Sequence, residues 1–286
     1  MFSPEYMVQC LRIEPKTGDP VRIALAYPVN LVMTNDTVYL GGIYAQPTAI
    51  SSAINGAPTV IDIGSVYDVD TITRDQIQSG YWEGAKVYFF FTQWSTPIED
   101  DYRDRLYTLG KVREQDDRYV IEMLSNIDKL NQSSGDIITP GCRWVLGDAH
   151  VDGTIIASDK SLCKVDSSLV SNIPSEVTSI ASDIDFFGSG LGSYPDDWFG
   201  YGELMFTSGP NAGLPFKFVK SFVDGGRIVL AQQFYFPVEV GHQFLIRAGC
   251  RKRFVQDCIG KYLNGEHNGG FPHVPQKSTV IKFGDQ

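Results

Sequence analysis

The stretch Phe216-Lys217-Phe218-Val219-Lys220-Ser221-Phe222-Val223-Asp224-Gly225-Gly226-Arg227-Ile228-Val229-Leu230-Ala231-Gln232 reads as two strands around a tight turn. Two runs rich in Phe, Val and Ile flank Asp-Gly-Gly, and such a turn needs residues that tolerate positive φ. This hairpin sets the fold class as mainly β. Working outward, Pro237 and Gly241 lead into a further strand at Phe244-Leu245-Ile246, and a compact β unit is expected from Trp198 onward. Residues 166–183 are polar and read as a loop, which the glycine-rich Gly188-Ser189-Gly190-Leu191-Gly192 extends. The polar run Asn131-Gln132-Ser133-Ser134-Gly135-Asp136 reads as a domain boundary.

The first half also reads as strands joined by turns. Val21 to Leu25 alternates as a half-buried strand does. Thr37 to Leu40 follows and stops at Gly41-Gly42, Asn55-Gly56 signals a turn, and Val60 to Ile63 resumes a strand. Thr73 with Gln76 three residues on predicts a capping box, with Gly80 ending the short helix in a left-handed conformation. Lys86 to Trp94 has apolar residues on both parities, so it is expected to be covered on both faces. Leu106 to Arg113 and Arg118 to Leu124 are two more strands, with Gln115-Asp116-Asp117 turning between them. No repeat of about 20–50 residues is present.

The chain of 286 residues has 43% hydrophobic and 20% charged residues, a globular composition long enough for one or two domains. Its formal net charge of -10 argues against a protein built to grip a nucleic-acid backbone. The charge serves solubility, or it lets nucleic acid pass without sticking. No stretch reaches the roughly 20 apolar residues of a membrane span. Met1 to Tyr6 has neither a basic nor an apolar signal region, so synthesis and folding in a cytoplasm are expected.

Five cysteines are present: Cys10, Cys142, Cys163, Cys250 and Cys258. In a reducing compartment, separated pairs point to metal or redox chemistry rather than disulfides. Thiolates are soft ligands for zinc or iron–sulfur clusters. Arg251, Lys252 and Arg253, between Cys250 and Cys258, would favour thiolate and balance a cluster's negative charge. The spacing matches neither a zinc ribbon nor a ferredoxin run, so four cysteines packed as small hydrophobes stand as an equal reading. His267 and His273 lie near the second pair as possible ligands or outer donors; His150 and His242 complete the histidines. No nucleophile elbow, HExxH or phosphate loop occurs, and the pairs Asp100-Asp101 and Asp116-Asp117 read as solvated turns.

An ordered set of motifs resembles a conserved phage tail hub family that also occurs in the gene transfer agents of alphaproteobacteria. Gly141-Cys142-Arg143-Trp144-Val145-Leu146-Gly147-Asp148 looks like its first cysteine motif. Cys163-Lys164-Val165-Asp166 resembles its C-G-V-D motif with lysine in place of glycine, at the end of a longer loop, residues 150–162. Phe199 to Leu204 and Thr207-Ser208-Gly209-Pro210-Asn211-Ala212-Gly213 resemble its T-S-G-x-N-A-G region. Ala248-Gly249-Cys250-Arg251-Lys252-Arg253-Phe254 and Gly270-Phe271-Pro272-His273-Val274-Pro275 resemble A-G-C-D-K-R-F and G-F-P-H-x-P. The stretch between Cys250 and Cys258 is one residue longer than the family pattern.

The resemblance implies a non-enzymatic structural virion protein, similar in role to the tail-tip L protein of lambda-like siphophages. It implies an N-terminal β hub domain over residues 1–137. A C-terminal iron–sulfur domain over residues 138–286 would follow, with a small β-barrel-like unit at about 184–247. It also implies a homo-oligomeric ring, usually a trimer, contacting the distal tail, tape measure and central tip or receptor-binding proteins, with DNA passing transiently. Cys142, Cys163, Cys250 and Cys258 would hold an iron–sulfur cluster, typically 4Fe–4S, with zinc as the alternative occupant. Cys10 matches no motif and is expected to be a packing residue.

Overall fold

The computed structural model describes residues 7–43, 45–47, 60–66, 71–115, 118–125, 138–147, 150–151, 154–155, 162–223 and 225–274. The chain divides into two compact units, Met1–Ser134 and Gly135–Gln286. The Asn55-Gly56 turn, the Asp116-Asp117 turn and the polar run at 131–136 fall outside the described residues.

The first unit contains β1 (Met7–Glu14), β2 (Val21–Leu25), β3 (Leu31–Val32), β4 (Val38–Tyr39), β5 (Ala45–Pro47), β6 (Val60–Val66), α1 (Arg74–Gln78), β7 (Lys86–Gln93), β8 (Tyr102–Gln115) and β9 (Arg118–Ser125). Seven of these strands form an antiparallel sheet in the order β2-β1-β7-β8-β9-β6-β5. Successive side chains on a strand point to opposite faces. Leu11, Ile13, Val87 and Phe89 therefore join one buried cluster, with Trp82 and Tyr107. Val8, Cys10 and Phe90 face the other way, against Leu31, Met33 and Tyr39. Strand β7 is thus covered on both faces over Val87–Phe90, as its continuous apolar sequence predicts. Cys10 is fully buried opposite Phe90 and serves packing.

The helix α1 begins with the capping box read from the sequence. Thr73 accepts from the Gln76 amide, and the Gln76 side chain accepts from the Thr73 amide. Gly80 follows with φ of 78°, the left-handed conformation that glycine adopts without penalty.

Asp100 departs from the solvated-turn reading. Arg12, almost buried on β1, pairs with Glu99 at 3.0 Å, Asp100 at 3.1 Å and Glu14 at 2.9 Å. Its guanidinium also covers the Tyr88 ring. Glu99 accepts from the Tyr39 hydroxyl at 2.7 Å and from the Asn35 amide at 2.9 Å. A buried cation needs such partners, and these carboxylates supply them.

The second unit contains β10 (His150–Val151) and β11 (Thr154–Ile155), paired with each other. It continues with β12 (Ile173–Ser182), β13 (Asp185–Gly188), β14 (Glu203–Phe206), β15 (Lys217–Val223), β16 (Arg227–Leu230) and β17 (Gln243–Ile246). The last six close a barrel in the order β12-β13-β16-β15-β14-β17. Alternation fills its interior: Leu204 and Phe206, Ile228 and Leu230, Phe244 and Ile246 point inward, while Met205 points out. The Gly225-Gly226 turn has positive φ at both residues, as the hairpin signal requires.

The barrel corrects two expectations. It begins at Ile173 rather than near 184, and residues 173–182, read as polar loop, are its first strand. Only Ser175 and Val177 of β12 are buried. Its backbone is nevertheless paired on both sides, with β13 and with β17. Gly188 likewise ends β13 instead of opening a loop, because a Cβ there would press on Leu191, Ser175 and Phe244.

The Thr207 to Gly213 signature is a clasp. Asn211 is fully buried; its amide donates to the Phe236 carbonyl at 2.8 Å and its oxygen accepts from the Phe236 N–H at 3.1 Å. Gly209, at positive φ, lies under the His242 ring, which packs edge-on to Phe206. Among the described residues no helix is long and apolar enough to cross a membrane.

The Arg12 knot predicts an acid-sensitive first unit. Burial alone would push the Glu99 carboxyl up; the hydrogen bonds from Tyr39, Asn35 and Arg12 outweigh it and hold it at about 2. A depressed carboxylate stabilises the fold fully above its ordinary value of about 4.3, and that contribution is lost as pH falls towards 2. Glu99→Ala leaves the buried Tyr39 and Arg12 donors without their acceptor, which costs about 2–3 kcal/mol. Urea denaturation at pH 7 and pH 3 checks both points: the gap between wild type and variant is expected to narrow at the lower pH.

Candidate metal centre

The four motif cysteines sit on segments that the second unit laces together. The segment 139–147 has no strand or helix of its own and is held by hydrogen bonds from later residues. The Phe271 N–H donates to the Thr139 carbonyl at 2.8 Å, and the Cys142 N–H donates to the Lys252 carbonyl at 3.2 Å. The Arg247 guanidinium donates to the Leu146 carbonyl at 2.9 Å, and the Lys252 ammonium donates to the Trp144 carbonyl. Cys163 is buried with Val165, Val170 and Tyr262, against Trp144, Leu146 and Cys250.

Cys250 stands four residues beyond the end of β17. The preceding Gly249 lies so close to the backbone of Gly200 and Gly202 that no side chain fits. Its N–H donates to the Trp198 carbonyl, and its own carbonyl accepts from Lys261 at 2.7 Å and Tyr262 at 2.7 Å. The backbone then turns at Lys252, with φ of 66°, and enters a π-helix over Phe254–Lys261 that carries Cys258. Asp257, buried, accepts from the Arg253 N–H at 3.0 Å and from its guanidinium at 3.2 Å, so it caps this helix from inside. π-Helical turns are uncommon and often mark functional sites.

The structure gathers all four sulfurs in one region. Cys258 lies within electrostatic reach of Cys142 and Cys163, and Cys250 within reach of Cys258. An N–H donor faces each sulfur. Cys142 accepts from Gly269 N at 3.3 Å and Cys250 from Lys252 N at 3.3 Å. Cys163 faces the Asn264 amide at 3.6 Å, and Cys258 the Asn268 amide at 2.9 Å. Burial pushes the Cys250 thiol up to about 11 and raises that of Cys258, with Cys142 and Cys163 adding to the latter. Among the described residues no three His, Cys, Asp or Glu side chains form a single-ion site.

The charges of Lys252 and Arg253 do act on Cys250, as the sequence suggested, and the cations around the cysteines also hold the frame. Arg251 pairs with Asp197 at 2.6 Å and covers Tyr201, and Arg253 pairs with Asp257. Lys261, pushed down to about 8 by burial, donates to the Trp198 and Gly249 carbonyls. These charges hold the frame. His267 reaches Asn264 through Nδ1 at 3.0 Å, while His273 packs edge-on to Phe254. The two asparagines went unnoticed in the sequence because no spacing rule marks an amide as a sulfur partner.

Comparisons with known proteins place this geometry. A family model described as "Baseplate hub protein, N-terminal attachment domain" matches residues 4–150. A second, "Phage conserved hypothetical protein BR0599", matches residues 197–278. Cys142 falls in the first match, Cys250 and Cys258 in the second, and Cys163 between them. The fold is similar to that of a chain in the structure titled "Virion of native gene transfer agent (GTA) particle". The TM-score is 0.75 at 20% identity, over 96% of this chain and 90% of that one. No curated protein matches the chain.

Two glycines of the centre differ in a way that can be tested. A Cβ on Gly269 would overlap the Trp144 indole, whereas a Cβ on Gly141 would meet nothing within 4 Å. Gly269→Ala is expected to cost about 1–3 kcal/mol through overpacking, and Gly141→Ala about 0.5 kcal/mol or less. Thermal denaturation of the two variants side by side measures the difference; equal melting temperatures would refute the packing described for Trp144.

Proposed function

We propose, because this chain belongs to the baseplate hub protein family through its N-terminal attachment domain, that it is a hub subunit of a siphophage-type tail tip whose C-terminal unit is stapled by an iron–sulfur cluster. Family membership makes the chain a structural component of a phage-type virion, at the baseplate hub. The finer reading adds a ring, a trimer by the resemblance, joining the distal tail to the central tip or receptor-binding assembly, with the tape measure protein nearby. DNA would pass through such a ring without specific binding, and the net charge of -10 suits that passage. A structural role without catalysis is consistent with the family.

The observation that carries the cluster reading is the donor set. Four thiols, drawn together from distant parts of the unit, are each faced by an N–H group. Cysteine sulfur is a weak acceptor as a thiol, and thiolate is the form that ligates metal. Such a set fits a 4Fe–4S cluster held by Cys142, Cys163, Cys250 and Cys258. The cluster, when bound, supplies metal–thiolate bonds that tie the 142 segment to the π-helix. The chain between them, which includes the barrel, then becomes a closed loop, and closing a long loop restricts the unfolded chain. Zinc, the alternative occupant and second reading, is a single ion, and the described side chains form no single-ion site, so the cluster is the preferred reading and metal content separates the two.

The test is the visible spectrum, with iron, sulfide and zinc analysis, of protein purified without oxygen. A broad visible band with about four irons per chain is expected. Cys250→Ala should lose the band and lower the melting temperature, while Cys10→Ala, outside the centre, should retain the band. Colourless protein carrying zinc would replace the cluster with the second reading; protein free of both metals would remove the cofactor and leave the hub family standing.

A further inference from the structure

We infer that Asn268 and Asn264 are positioning residues of the cysteine centre: amide donors, oriented by their neighbours, that hold the Cys258 and Cys163 sulfurs in the charged, metal-bound form and set how readily the bound cluster is reduced. This rests on the cluster reading above.

The argument starts from orientation. The two ends of an asparagine amide are alike in shape, so the neighbours decide which end faces where. For Asn268 the neighbour is a backbone N–H, which can only donate. Gly270 N lies 2.8 Å from Asn268 Oδ1, so that end must be the oxygen. The opposite end, Nδ2, is then turned to Cys258 Sγ at 2.9 Å. Asn264 repeats the arrangement. Its Oδ1 meets His267 Nδ1 at 3.0 Å and its Nδ2 faces Cys163 Sγ at 3.6 Å. With the His267 proton on Nδ1, the amide is fixed in this sense.

Burial makes the arrangement informative. Asn264 is 8% exposed, and its N–H donates to the Cys258 carbonyl at 2.7 Å, which ties it to the π-helix. A buried amide needs a good acceptor, and a neutral thiol is a poor one. A sulfur carrying negative charge is a strong one. Asn264, buried and aimed at Cys163, and Asn268, half-buried and turned to Cys258 by Gly270, therefore point to a site whose sulfurs are charged when it is filled. The other two sulfurs are served by the backbone N–H groups of Lys252 and Gly269, which no side-chain replacement removes. Asn268 and Asn264 are thus the positions where the sequence itself tunes the centre. Hydrogen bonds to cluster sulfurs favour the more negative, reduced state, so removing one lowers the reduction potential.

The experiment uses the full chain reconstituted anaerobically with iron and sulfide, as wild type, Asn268→Asp, Asn268→Leu and Asn264→Leu. Asn268→Asp keeps the shape but exchanges the donor for a charged acceptor, so the neutral leucine variants at 268 and 264, two separate sites, carry the measurement of the lost donor, and the aspartate variant is read beside them. Each variant is expected to shift the reduction equilibrium about tenfold towards the oxidised form, about 59 mV for a one-electron couple. Each should also release iron to a chelator roughly tenfold faster. A purely structural role would lower the melting temperature and leave the potential of the loaded molecules where it was. A folded Asn268→Asp chain that cannot retain the cluster also supports the inference. Unchanged potential and release rate in all three variants overturn the inference and leave the cluster reading intact. Wild-type chain that takes up no iron or sulfide overturns both, and that result is read before any variant is made.

Discussion

The close approach of Gly249 to the backbone of Gly200 and Gly202 is the constraint on which the second unit depends. It lets the end of β17 pass within hydrogen-bonding distance of the turn that precedes β14. The Gly249 N–H donates to the Trp198 carbonyl, and the Gly249 carbonyl gathers Lys261 and Tyr262 from the π-helix. One residue thus joins a closed barrel to the segment that carries the last two cysteines. A side chain at 249 would separate them and deprive buried donors of their acceptor, a cost paid in full because the site is shielded from water.

The same unit shows why some of this was legible in the sequence and some was not. The Phe216–Gln232 hairpin announced itself because both its turn and its alternation are local. The α1 capping box was local too, three residues from cap to partner. The strand β12 was hidden because its outward residues are Ser, Thr and Glu, and only Ser175 and Val177 are buried. What makes it a strand is pairing with β13 and β17, a long-range property that no window of sequence reveals. Asp100 failed for a similar reason: its partner Arg12 lies on β1, far away along the chain.

Chemistry and motif order single out the four cysteines in the sequence; what surrounds them was not legible there. Arginines and lysine between Cys250 and Cys258 suggested direct charge balance at sulfur. Lys252 and Arg253 do act on Cys250 by charge, but the arginines also pair with Asp197 and Asp257, and the Lys252 ammonium holds the Trp144 carbonyl while its backbone N–H meets the sulfur. Motif residues that look like ligand-side chemistry thus serve the frame. Residues with no motif weight at all, Asn264 and Asn268, stand next to the sulfurs. Motifs report what a site needs to exist, and a lysine or arginine that positions backbone is as necessary as a ligand.

A staple and a catalyst place different demands on such a centre. A catalyst needs an open coordination position and a path for substrate, whereas a staple needs every ligand anchored to a different part of the chain. Here Cys142 sits on an irregular segment, Cys163 in a small buried cluster, Cys250 at the exit of the barrel and Cys258 on a π-helix. The first segment has no strand or helix of its own and leans on Arg247, Lys252 and Phe271 for its backbone partners. Under the cluster reading proposed above, four cysteines on four separately anchored segments would give a metal group the most chain to constrain, the demand of a staple rather than of a catalyst. On that reading the barrel is the rigid platform that holds the cysteines, and rigid support is what precise ligand geometry requires.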